Sequence, residues 1–170
     1  DASVSKQFIE NLKAALNGRG LDYLVVNHME PDHAALISDV VRLYPDVKLV
    51  LNQMTLKFLN QAIDEKFSYI IVKENDSLDL GKHKLTFIMA PMVHWPEVMM
   101  SYDSYSKVLF SADAFGTFGA LDGNIFASEL KLDDSFYSEA RRYYTNIVGK
   151  YGSNVLNVLN KAKTLDIEYI

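Results

Sequence analysis

Apolar residues along this chain change their spacing several times, and each change marks an element. Residues 3–17 (SVSKQFIENLKAALN) place Val4, Phe8, Ile9, Leu12, Ala15 and Leu16 at helical spacing, with Gly18 and Gly20 ending the helix. The short run 21–27 (LDYLVVN) predicts a buried strand, followed by a polar loop over 28–33 (HMEPDH). Residues 34–44 predict a helix stopped by Pro45, and 47–52 a strand. Thr55 is placed to cap a helix over 56–67, and 68–75 predicts another strand. This α-β-α-β-α-β order is that of helices layered on a sheet. From residue 77 the texture changes. Residues 77–91 predict a hairpin around Gly81-Lys82, and 98–104 with 107–113 a second strand pair turning near 103–106. A polar loop follows Gly116 and Gly119. Two helices then read over 135–152 and 153–165, and 166–170 (DIEYI) starts a strand. No repeat or linker interrupts the series, so one α/β domain is expected.

Composition narrows the function classes. With 170 residues, 49% of them hydrophobic, the chain can bury a sizeable core. A net charge of -5 and no basic cluster argue against nucleic-acid binding, and RRYY (141–144) reads as a mixed helix surface. No apolar run is long enough to span a bilayer, and no signal peptide is visible, so no membrane partner is expected. There are no cysteines, which removes disulfides and thiolate metal sites and suits a reducing cytoplasm. The first residue is Asp rather than Met, which suggests processing or a piece of a longer protein.

The chemistry concentrates in HMEPDH, where His28, Glu30, Asp32 and His33 all carry metal-binding groups at a predicted strand end. Residues two apart in extended chain point the same way, so His28 and Glu30 can share one metal. Asp32 and His33 lie past the bend at Pro31 and can address a second. The plainer alternative makes Asp32 an N-cap of the following helix. His94, after the run LTFIMAP, and Asp113, after KVLF, are further candidates at strand ends. Taken singly, each reads as a structural His and a turn Asp.

His-x-Glu-x-Asp-His, then His94 in APMVHWPE, then Asp113 in SADAFGTFG resembles the metal motif of flavodiiron proteins. The resemblance implies a metallo-β-lactamase-like αββα sandwich. It implies one iron held by His28, Glu30 and His94, a second held by Asp32 and His33, and Asp113 bridging them. It also implies reduction of O2 to water or NO to N2O, with electrons from FMN in a flavodoxin-like domain outside this sequence. Rubredoxin or a flavin reductase would be the donor, and the assembly a head-to-tail homodimer. Glu30 stands where hydrolases of the same fold carry a His. Measured against the family, the chain looks cut at both ends: opening sheet strands and a last His ligand lie outside it. A dinuclear zinc hydrolase and a non-catalytic scaffold are the alternatives.

Trp95, Phe115 and Phe118 are candidates to wall the pocket, with core packing as the plainer reading. His83 in GKHK is expected to be exposed and inert. Tyr102, Tyr105, Tyr143 and Tyr144 are expected to be packing or surface residues.

Overall fold

A computed structural model describes residues 2–120, 123 and 126–170. Asp1 and part of the expected loop after Gly119, at residues 121, 122, 124 and 125, lie outside the described residues. The chain forms helix α1 (Ser5–Leu16), strand β1 (Tyr23–Val25), helices α2 (Pro31–Ala34) and α3 (Ile37–Leu43), strand β2 (Lys48–Leu51), helix α4 (Gln53–Ala62) and strand β3 (Ser68–Ile71). Strands β4 (Ser77–Asp79), β5 (Lys84–Met89), β6 (Met99–Asp103) and β7 (Val108–Phe110) follow, then helices α5 (Asp134–Ile147) and α6 (Gly152–Ala162).

Two sheets result. β1-β2-β3 are parallel, and β4-β5-β6-β7 form an antiparallel meander. The pleat sends alternate residues to opposite faces, and this sorts the core into three clusters. Leu49 and Leu51 of β2 face outward to Ile37 and Val41 of α3 and Leu56 and Leu59 of α4. Val50 faces inward to Phe87 of β5 and Met99 of β6, filling the space between the sheets. Ile88 and Met100, one position along, face Val148, just after α5, and Val158 of α6. Three apolar seams therefore separate four layers, helix-sheet-sheet-helix. No described helix is long and apolar enough to cross a membrane.

The structure corrects several boundaries. The polar loop over 28–33 is half helix: Pro31 occupies the first helical position, where its missing N–H costs nothing, and starts α2. The single helix expected over 34–44 is broken between α2 and α3. Asn52, not Thr55, caps α4, its Oδ1 accepting from Met54 N–H and Thr55 N–H. That helix ends at Ala62, because Ile63 turns extended and packs into the first core cluster. β3 stops at Ile71, ahead of a turn in which Asp76 accepts from Lys73 N–H and Asn75 takes a positive φ of 64°. Asn17 rather than Gly18 is the left-handed cap of α1. The final segment reaches β7 through an isolated parallel bridge, Val108 to Tyr169.

Candidate metal centre

Four sequence-predicted residues converge. One ligand atom each from His28, Glu30, His94 and Asp113 lie within 4.8 Å of one another. They come from both sheets: His28 and Glu30 from the exit of β1, His94 from the β5–β6 connection, and Asp113 just after β7. The local chain explains how two residues of one loop share the site. His28 and Glu30 sit on the same side of extended backbone, while Met29 between them turns into the first core cluster. Glu30 is the N-cap residue of α2, yet makes no side-chain cap bond. Its carboxylate is thereby left for the site, where Oε2 lies 2.9 Å from His94 Nε2 and 3.3 Å from His28 Nε2.

Asp113 stands between two groups. Its Oδ2 is 3.3 Å from both His28 Nε2 and His94 Nε2, and its Oδ1 is 3.0 Å from His33 Nε2. His33, on the other side, approaches Asp32 at 3.6 Å. Asp32 is on the solvent rim, on the first turn of α2 and not at its cap. The structure thus brings five of the six predicted residues into direct contact and holds Asp32 beside the fifth.

An acid and a tyrosine shape the surroundings, and the role of both escaped the sequence reading. Glu97, 1% exposed, places Oε1 2.7 Å from His28 Nδ1 and accepts from Met29 N–H at 2.9 Å. Its position in HWPEV, an acid flanked by residues entering a buried strand, was the available signal, since a buried acid demands partners. Tyr143, expected to be packing or surface, instead faces the acids from α5. Burial first, then the charges of Asp113, Glu30 and Asp32, hold its phenol up to about 12, so it stays protonated at neutral pH. Gly116 makes room for that ring, because a Cβ there would collide with it.

The electrostatics are those of a crowded anionic pocket. Burial drives His28 toward its neutral form, but contacts with Asp113 and Glu97 outweigh it and raise the imidazole to about 10. Burial likewise pushes Asp113 up, but His28 and His33 bring it down to about 2. Asp113 Oδ2 is buried with no hydrogen-bond partner of good geometry. Two imidazole Nε2 atoms and two carboxylate oxygens aimed at one point, one of those oxygens orphaned, is the donor arrangement that a cation satisfies.

Among the aromatics, Trp95 stacks edge-on against His28 at 5.3 Å and bridges to Phe58. Phe118 packs on Tyr143 at 5.2 Å, while Phe115 is exposed. A groove of about 590 Å3 between the edge strands β1 and β7 reaches His28 and His33. His83 departs from expectation: its Nδ1 is 2.6 Å from Asp103 Oδ2 and its ring packs on Tyr105, away from the centre.

The ODP family beta lactamase description matches residues 2–170. Among curated proteins, Diflavin flavoprotein A 1 of Synechocystis is 33% identical over 161 residues, 93% of this chain and 27% of its own length. The anaerobic nitric oxide reductase flavorubredoxin of Klebsiella pneumoniae is 35% identical over 150 residues, 87% of this chain and 31% of its own. The chain spans about a quarter to a third of the length of the curated relatives it matches. Among solved structures, the flavodiiron protein of Giardia intestinalis superposes with a TM-score of 0.90 at 27% identity, covering 98% of this chain and 40% of that one. The rubredoxin oxygen:oxidoreductase of Desulfovibrio gigas gives 0.78 at 30%, covering 84% and 35%. Four layers, the paired sheets and this similarity along nearly the whole length lead to one conclusion: the chain belongs to the ODP beta-lactamase family, as a metallo-β-lactamase-like domain of the flavodiiron kind.

Proposed function

We propose that this domain holds a non-haem diiron centre and serves the reduction of O2 to water or of NO to N2O. The observation that carries the reading is Glu30 Oε2 meeting the Nε2 atoms of His28 and His94, with Asp113 turning its second oxygen to His33. His28, Glu30 and His94 would hold the first iron, Asp32 and His33 the second, and Asp113 would bridge. The donor set of imidazoles and carboxylates without thiolate fits iron. When bound, two ferrous ions supply electrons to the small ligand and stabilise negative charge developing on it.

The chain's own residues do the rest. Glu97 and Trp95 hold the His28 ring, and Met29 N–H locks the loop that carries it. Tyr143 offers a protonated phenol beside Asp113. The names of the Desulfovibrio and Klebsiella relatives motivate the substrates O2 and NO and a rubredoxin-type donor. In this reading electrons arrive from FMN of a flavodoxin-like domain beyond this sequence, rubredoxin or a flavin reductase feeds that FMN, and a head-to-tail homodimer pairs the two.

Elemental analysis of chain purified without oxygen, beside a His28→Ala control, tests the proposal. Iron at about two per chain, lost in the control, supports it. Zinc in iron's place would favour a dinuclear hydrolase of the same fold. No metal in either protein would leave a scaffold.

A further inference from the structure

Glu97 is the most deeply buried acid among the described residues, and it touches three segments of the fold. Its Oε1 meets His28 Nδ1 and Met29 N–H in the β1–α2 loop. Its backbone carbonyl accepts from Asn52 Nδ2 at 2.6 Å, at the start of α4. Its own segment carries His94, three residues earlier. Oε2, also buried, has no hydrogen-bond partner. A buried carboxylate with one oxygen unpartnered carries a desolvation cost that its contact with the His28 ring must offset.

A charge retained at such a place points to His28. Once a cation replaces the Nε2 proton, an imidazole that donates Nδ1–H to a carboxylate presents its Nε2 lone pair away from it, toward Glu30, His94 and Asp113, and is the more basic donor for that contact. Resting on the metal-site reading above, we propose that Glu97 is a positioning residue: it holds His28 in the Nδ1–H form and strengthens Nε2 as a cation ligand.

The test compares wild-type chain with Glu97→Gln by calorimetric titration with zinc(II) alone and by thermal melting of the metal-free proteins. The variant keeps an acceptor for Met29 N–H and His28 Nδ1–H but buries an NH2 group without a partner where Oε2 stood, so a lower melt is expected and the melting curve serves to show that it folds. Its zinc affinity should fall about 10- to 100-fold. Affinity within twofold of wild type overturns the inference, and nitrogen-15 spectra of His28 in the zinc-loaded wild type separate positioning from a merely structural bond. If the variant fails to fold, the zinc-loaded wild type decides by nitrogen-15 spectra of His28. A proton on Nδ1 with Nε2 bound is expected, and a proton on Nε2 overturns the inference. Wild-type chain that takes up no zinc would overturn the metal-site reading itself, and this inference with it.

Discussion

Glu30 combines three local facts that each depend on a neighbour. Pro31 starts a helix immediately after it, its backbone carbonyl serves that helix, and its carboxylate is free to face two imidazoles. An anionic oxygen at this position favours a harder cation than a third imidazole would. Replacing Glu30→His should therefore lower the preference for iron(II) over zinc(II) by about tenfold, or ~1.4 kcal/mol, in a direct competition assay. An unchanged ratio would refute that role. The same residue marks the limit of what spacing alone tells. The two-residue period placed His28 and Glu30 on one side of the chain, because extended backbone has no other choice. Nothing local could reveal that Glu97, 69 residues from His28, would complete the imidazole's partners, since that contact exists only after two sheets have met. Tyr143 was illegible for the same reason: its helical period describes α5, not the acids α5 lies against.

At the scale of elements, the turns hold most of the information that the apolar pattern misses. Asn52 caps α4 with one side-chain atom and ties down the carbonyl of Glu97 with the other. Loss of a cap costs about 0.5–2 kcal/mol, and loss of the shorter of two bonds to the Glu97 carbonyl, which keeps Thr55 Oγ1 at 3.4 Å, adds about 0.5–1.5 kcal/mol. Asn52→Ala should accordingly lower unfolding free energy by roughly 1.5–3 kcal/mol in urea, more than an ordinary cap mutation. A loss below about 1 kcal/mol would show the second bond to be idle.

The β4–β5 and β6–β7 turns are pinned together by His83 and Asp103. Burial raises the Asp103 carboxyl, but hydrogen bonds from His83, Tyr105 N–H and Ser106 outweigh it, and the net direction is down. A depressed folded value stabilises the fold above the unfolded carboxyl range near about 4, and that contribution is lost as pH falls through the folded value. Urea midpoints of wild type and Asp103→Asn should therefore differ at neutral pH and converge on acidification. Parallel curves down to about pH 3 would exclude the pair as a source of acid sensitivity. The strand pair itself was readable from alternation and Gly81, whereas the ion pair across its turns was not, because His83 and Asp103 lie 20 residues apart.

For the whole molecule, an α-β series giving way to hairpins supported only an α/β fold, and both the four layers and how the sheets face each other came from the family resemblance. Once they face, ligands from β1's exit and from the β5–β6 and β7 loops meet at the seam. A cation there ties one sheet to the other, and binding to the folded state alone adds about 4 kcal/mol at a thousandfold excess over its dissociation constant. For a domain of this size that is roughly 10 °C in melting temperature. Zinc(II) or iron(II) should raise the melt accordingly, chelator should reverse it, and His94→Ala should abolish the difference. A melt indifferent to metal would mean that the two sheets dock without help from the site.

The split origin of these ligands also sets a timetable. HMEPDH emerges before the other ligands, since His94 follows Glu30 by 64 residues and Asp113 follows His33 by 80. At about 5–20 residues per second, the early cluster waits roughly 3 to 16 seconds for the rest. Throughout that interval it is a short acidic segment with two imidazoles, open to whatever cation the surroundings hold in excess and without the geometry that discriminates among them. Selection of the right ion therefore belongs to the finished fold, and an ion captured early must be exchanged after β7 has closed.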